Sequence, residues 1–278
     1  KLTGDLELKA SRFYPAEQEL LASTDERFRP VGARVGPDGA LYVADMYHGI
    51  IEHVIFLAPW LERQVKERHL ETGNDMGRIY RIVHEGRPIN RKRPRLASAS
   101  SAQLADTVNH YNRWWRLTAQ RLLVERRDEA AIPVLNTVAF RGSPLGRLHA
   151  LWTLDGMEKL DWQTALTAMD DKDERVRATA IRLAEGLLTS ARKDLPRAES
   201  WQAGVFDKLG KLASDPSRLV RLQMLLTLGA INTEQTEALR AEIVHENEHA
   251  LFRAAAMTGL QRRELDFLVR LLGRPEWQ

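Results

Sequence analysis

The sequence predicts a mostly α protein: a helical solenoid preceded by a small β-rich segment. Three observations carry this. Residues 1–84 hold short β-type runs separated by Gly/Pro turns, residues 85–100 are basic and rich in Pro and Ser, and from position 101 onward the apolar periodicity is helical throughout. Within the helical stretch a single pattern returns at nearly even intervals, the mark of an array of stacked helical pairs.

In the segment 1–84, residues 31–35 and 41–44 read as strands joined by Gly36-Pro37-Asp38-Gly39, a strong hairpin punctuation. Residues 77–83 (GRIYRIV) alternate polar and apolar side chains and read as a half-buried strand. Between them, residues 59–70 (PWLERQVKERHL) have the spacing of a short amphipathic helix, ended at Gly73-Asn74. Together they make about one four-stranded unit, too little to close a sheet alone. Residues 85–100 (EGRPINRKRPRLASAS) read as a solvated linker rather than a nucleic-acid patch.

In residues 101–278 five segments align on an arginine: Arg116, Arg147, Arg177, Arg221 and Arg253. The third and fourth of these stand furthest apart, and the other intervals are nearly equal. Three positions on stand Ala119, Ala150, Ala180, Met224 and Ala256; seven on stand Leu123, Leu154, Ala184, Leu228 and Leu260. Small and apolar residues at these offsets form the inner stripe of tightly packed helices. Partner helices are expected over residues 130–140, 161–169, 201–213 and 236–245, and the longest interval carries an extra polar segment at 189–200.

Composition narrows function. Lysine plus arginine number 41 against 38 acidic residues, a net charge of +3, which argues against a dedicated nucleic-acid binder. Cysteine is absent, so disulfides, thiolate catalysis, cysteine-ligated zinc and CxxCH haem attachment are excluded within these residues. No run approaches the roughly 18 apolar residues of a membrane span, and no signal-peptide pattern is present. A start at Lys1 rather than Met reads as a piece of something longer.

Three constellations are candidates for chemistry. HENEH, residues 245–249, matches the zinc-protease pattern H-E-x-x-H, in which His245 and His249 would ligate and Glu246 act as base. The repeat register instead puts Asn247 where Asp171 and Asp215 stand, in a turn between helices, which separates the histidines; no metal site is expected there. The second is Asp45, Tyr47, His48 and His53, at the end of a predicted strand, with Arg78 placed to neutralise Asp45. It reads either as pocket residues or as a turn capped by Asp45 beside a packing histidine. The third, Trp114-Trp115 between arginines, reads as core or junction packing rather than a base-stacking platform. No nucleophile elbow, P-loop or dinucleotide fingerprint is present.

Two resemblances add to this. DKDERVR at 171–177 and DPSRLVR at 215–221 resemble the D-x-x-x-x-V-R signature of HEAT repeats, over about residues 101–278. That resemblance implies that Asp171, Arg177, Asp215 and Arg221 are structural, forming ladders between repeats. The other units carry His110, Arg141 and Asn247 at the Asp position, so a continuous ladder is not expected. RFRPVGARVGPDGALYVADMYHGIIEH followed by GRIYRIV, with WWRLTAQRLLVER and RLHALWTLDG after it, resembles the last propeller blade and helical array of putative membrane-bound dehydrogenases of the planctomycete and verrucomicrobial type.

That second resemblance implies a periplasmic or exported parent that oxidises a sugar or polyol with pyrroloquinoline quinone and passes electrons to haem c. Asp45, Tyr47, His48 and His53 would then bind cofactor only once the remaining blades were present. The expected role of these residues themselves is a non-catalytic scaffold that docks adjacent domains or a redox protein. The rival is a stand-alone HEAT adaptor for a protein or peptide.

Overall fold

A computed structural model of the chain describes residues 18–73, 75–86, 88–189, 199–231 and 233–273. It is mostly helical: twelve α-helices among these residues, preceded by a small antiparallel sheet. The described residues divide into two compact units, one of residues 18–98 with 111–117, the other of 99–110 with 118–273.

The β unit contains β1 (Pro30–Val35), β2 (Leu41–Asp45) and β3 (Arg78–Ile82) in the spatial order β1-β2-β3, with helix α1 (Pro59–Glu67) between β2 and β3. Val43 of β2 lies opposite Ala33 and Tyr80, and Asp45 opposite Pro30 and Arg78. This is three strands among the described residues, against the four-stranded unit expected. The β1–β2 turn closes through Gly36 N to Ala40 O at 2.9 Å, with Gly39 at φ +86°, a backbone shape suited to glycine. Asp38 pins it: Oδ1 accepts the Ala40 amide at 3.1 Å, and Oδ2 accepts the Tyr42 hydroxyl at 3.0 Å and Arg81 Nε at 2.9 Å.

Residues 111–117 correct the expected boundary at residue 101. They cluster with the β unit because Asn112 Nδ2 donates to Gly36 O at 3.0 Å and Trp115 Nε1 to Pro37 O at 2.9 Å. Both bonds satisfy carbonyls of the β1–β2 turn, which would otherwise need water. Trp114 meets Trp115 edge-on, ring centroids 5.7 Å apart.

The helical unit runs through α2 (Ser101–Thr107), α3 (Arg113–Arg126, its first turn in the other unit), α4 (Ile132–Arg141), α5 (Pro144–Gly156), α6 (Trp162–Ala168) and α7 (Glu174–Thr189). It continues through α8 (Glu199–Ala213), α9 (Arg218–Ile231), α10 (Glu234–His245), α11 (Ala250–Met257) and α12 (Glu264–Leu272). Two layers form. In one, α5, α7, α9 and α11 pack in succession; in the other, α4 meets α6, and α8, α10 and α12 follow one another. All ten residues of the inner stripe, from Ala119 and Leu123 to Ala256 and Leu260, are buried. Side chains begin the helices where the sequence allows: Ser100 and Thr233 form capping boxes, and Asp161 accepts the Thr164 amide at 2.7 Å. Of the polar segment expected at 189–200, residues 190–198 lie outside the described residues.

The aligned arginines share one geometry. Each turns its guanidinium back onto a carbonyl in the turn before its helix: Arg116 onto Tyr111, Arg147 onto Gly142, Arg177 onto Asp171, Arg221 onto Asp215 and Arg253 onto Glu248. Arg147, Arg177 and Arg221 also reach the next repeat. Arg147 pairs with Asp171 (Nε to Oδ2 2.7 Å), Arg177 with Asp215 (NH2 to Oδ1 2.8 Å), and Arg221 donates to Asn247 Oδ1 at 2.9 Å. The ladder therefore runs further than the two Asp-bearing units, because an amide oxygen takes the carboxylate's place at Asn247.

Asp173, at the head of α7, yields a pH prediction. The Arg175 guanidinium beside it (NH2 to Oδ2 2.7 Å) and the Arg175 amide hold its carboxyl at about 2, against the opposing pull of burial, where 3.8 is usual. A depressed carboxyl stabilises the fold above the unfolded value and loses that contribution as pH falls towards 2. Because Arg175 is half exposed, screening leaves about 1 kcal/mol. Asp173→Asn should thus lower the urea midpoint at pH 6, and the gap from wild type should close near pH 2; an unchanged gap would refute the assignment.

Candidate functional site

The end of β2 is the most organised polar cluster of the β unit. Asp45 closes the strand and is buried; its Oδ1 accepts the amides of Arg29 at 2.8 Å and Tyr47 at 2.9 Å. The second bond makes the tight Asx-type turn that carries Tyr47 into positive φ, 55°. Arg29 completes the frame, with Nε on His48 O at 2.9 Å and NH2 on Gly49 O at 3.0 Å. Asp45 Oδ2 is buried and has no hydrogen-bond partner among the described residues.

Around this carboxylate lie a phenol and an imidazole. Tyr47 donates its hydroxyl to Asp25 Oδ2 at 2.7 Å; that bond raises its pKa above the usual tyrosine range. The carboxyl of Asp25 is lowered, first by the Arg27 amide bond and then by Tyr47. His48 Nδ1 lies 2.9 Å from Met46 O. A carbonyl only accepts, so Nδ1 carries a proton.

Two expectations need correction. Arg78 stands opposite Asp45 across the strands but does not neutralise it: its guanidinium lies over the Tyr47 ring, 3.9 Å from the centroid. A cation held over an aromatic face is attracted by the ring quadrupole, and this position keeps it solvated. His53 stands apart from the Asp45 cluster; it is exposed, and its Nδ1 caps the turn at Val54–Phe56 by accepting the Ile55 amide at 3.4 Å. Sequence reasoning missed Arg29 and Asp25. Their only signal is the run DERFRP ahead of the first strand, and nothing in it announces partners as distant in the chain as Asp45 and Tyr47.

Chemically, the cluster is a closed turn: the Asp45 oxygen without a partner among the described residues is buried, and the carboxylate frames the backbone around it. A buried carboxylate does not fit pyrroloquinoline quinone, whose carboxylates and quinone oxygens are themselves acceptors and call for donors or cations. Haem c attachment needs CxxCH, and the chain has no cysteine. No step through either group follows from these residues.

HENEH falls across two helices. His245 is the last residue of α10, and His249 is the N-cap of α11, its Nδ1 accepting the Leu251 amide at 3.1 Å. The one-face geometry of a zinc helix is therefore not formed here. The turn opens instead on a polar cleft of about 680 Å³, lined by Arg218, Arg221 and residues 245–249. Asn247 lies buried in it and bonds Ile243 O at 2.7 Å as well as Arg221. Among the described residues no group of three or more His, Asp or Glu is placed to hold a metal ion, and no helix is long and apolar enough to cross a membrane. Asp171, Arg177, Asp215 and Arg221 all sit in the ladder.

Residues 5–86 match a family described as a domain of unknown function, DUF7133; the match spans β1, β2, α1 and β3 and stops before the solenoid. No curated protein matches the chain.

Proposed function

We propose that these residues form a non-catalytic scaffold of a quinoprotein-like sugar or polyol dehydrogenase, in which the β unit joins further propeller strands and the HEAT-like solenoid docks adjacent domains or a redox protein. One observation carries the reading. Among the described residues β1 is the outer strand of a three-stranded sheet and exposes all six of its residues, Val31 and Val35 included. A long apolar edge strand is an association surface, and a sheet this small needs neighbours to persist. The family match gives no support for or against, because it names no function.

The reading frame around these residues tests this. Several blade-like repeats upstream and a CxxCH downstream are the expected result, with polyol-dependent dye reduction by the whole expressed protein. A start and a stop codon bordering the stretch from Lys1 to Gln278 would overturn it. The adaptor reading would then take its place, favoured by a solenoid whose described core and ladder come from its own residues.

A further inference from the structure

The stretch between β3 and α2 carries the positive balance of the whole chain. Arg91, Lys92, Arg93 and Arg95 lie close together, and no acidic residue stands between Glu85 and Asp106. Lysine plus arginine number 41 against 38 acidic residues, so without these four the chain would be net negative. All four are exposed, and none meets a carboxylate among the described residues. Several exposed cations elsewhere do find one: Lys66 pairs with Glu62, Arg68 with Glu26 and Lys211 with Asp207.

The run is held at both ends. Before it, the Asn90 amide donates to Asp38 O of the β1–β2 turn at 3.2 Å, and Asn90 Oδ1 accepts the Lys92 amide at 3.0 Å. After it, Leu96 is buried, and Ser98 bonds back to Arg95 O through its amide at 3.2 Å and its hydroxyl at 3.1 Å. Pro94 has a fixed φ and keeps Arg93 out of the helical region. A segment tethered in this way has less chain entropy left to lose on binding.

We infer that Arg91, Lys92, Arg93 and Arg95 form a docking strip for an acidic segment of a partner protein. Three of the four are arginines, whose forked donors can take a carboxylate through two bonds at once. The surroundings select against other polyanions. Residues 85–100 contain no aromatic side chain on which a base could stack. The net negative charge of the rest of the chain opposes the long phosphate field of a duplex. A polybasic run holds a bilayer firmly only with an apolar anchor beside it, and here Ile89 is half-buried and Leu96 buried.

The inference is independent of the role proposed for the solenoid. Fluorescence anisotropy of a labelled deca-glutamate peptide against the whole chain, Lys1 to Gln278, tests it. Exposed ion pairs are individually weak, so the expected dissociation constant is on the order of 100 μM at low salt. It should rise about tenfold when salt reaches about 0.2 M. Arg91→Gln, Lys92→Gln and Arg93→Gln together should raise it about tenfold or more, with the circular dichroism unchanged because the side chains are exposed. Arg63→Gln, Arg141→Gln and Lys172→Gln together remove the same charge from scattered exposed positions and should change it less than about threefold. Absence of binding at about 1 mM, or equal losses in the two triple variants, overturns the proposal. So does tighter binding of a short DNA duplex or of phosphatidylserine vesicles than of the peptide. Any of these results would leave the scaffold reading standing, since that is decided by the flanking reading frame.

Discussion

Asp215→Ala is expected to destabilise the solenoid by about 3–5 kcal/mol, the range for removing one partner of a buried ion pair. Asp215 and Arg177 expose only 7% and 14% of their side chains. Both carboxylate oxygens are used, Oδ2 by Arg177 Nε at 2.9 Å and Oδ1 by Arg177 NH2 at 2.8 Å, and Oδ1 also accepts the Ser217 amide at 2.8 Å. The alanine leaves a buried guanidinium with the Asp171 carbonyl as its remaining acceptor and strips an amide at the head of α9 of its partner. Asp215→Asn should cost less, about 1–2 kcal/mol, because Asn247 already serves Arg221 in the same role. Arg177→Met with Asp215→Leu should come near neutral, since an apolar pair avoids the desolvation that the ion pair incurs. Urea unfolding of the four proteins measures this. Equal losses for the alanine and asparagine variants would show that an amide oxygen cannot replace the carboxylate here and sink the argument. If the double variant proves stable, the ladder sets the register of neighbouring repeats more than it adds to their stability.

The array was legible because its signals are periodic. Alanine stands three positions after four of the five arginines, where helices approach closely, and every such position is buried, that of Met224 included. The ladder was only half legible. A pattern that asks for Asp stops at Asn247, whereas the geometry asks only for an oxygen in the turn. The β unit shows the opposite difficulty. Asp45 could be read as closing its own turn, a local bond, but Arg29 and Asp25 act across the chain, and no spacing rule connects them. Tyr111–Leu117 belongs with the β unit through Asn112 and Trp115, two residues whose helix-like setting hides long-range bonds. Arg240, a lone arginine within an amphipathic helix, would be placed on the solvent side by any such rule. It is fully buried and donates to the Thr258 carbonyl at 2.9 Å.

That carbonyl belongs to the turn where the second large effect is expected. Gly259→Ala should destabilise the last repeat by about 3 kcal/mol or more, combining a left-handed backbone with an overlap that cannot relax. Gly259 has φ +78°, and a Cβ there would stand 2.3 Å from the Gly229 carbonyl oxygen of α9. From the other side, a Cβ on Gly229 would stand 2.6 Å from Thr258 O. The obstacles are backbone atoms, so no side chain can swing aside, and Arg240 holds Thr258 O from α10. Gly229→Ala should therefore be costly too, and the double variant less costly than the sum, because both substitutions wedge apart one contact. Gly186→Ala in α7 is the control: a Cβ there meets nothing within 4 Å, and alanine in an open helical position should stabilise by about 0.5–1 kcal/mol. Hydrogen exchange read together with urea unfolding separates the cases. Gly259→Ala should lose protection in α11 and α12 first while α5 and α7 keep theirs, since a stacked array transmits a local wedge only to its neighbours. Uniform loss along the whole array would mean that the turn at 259 holds more than its own repeat.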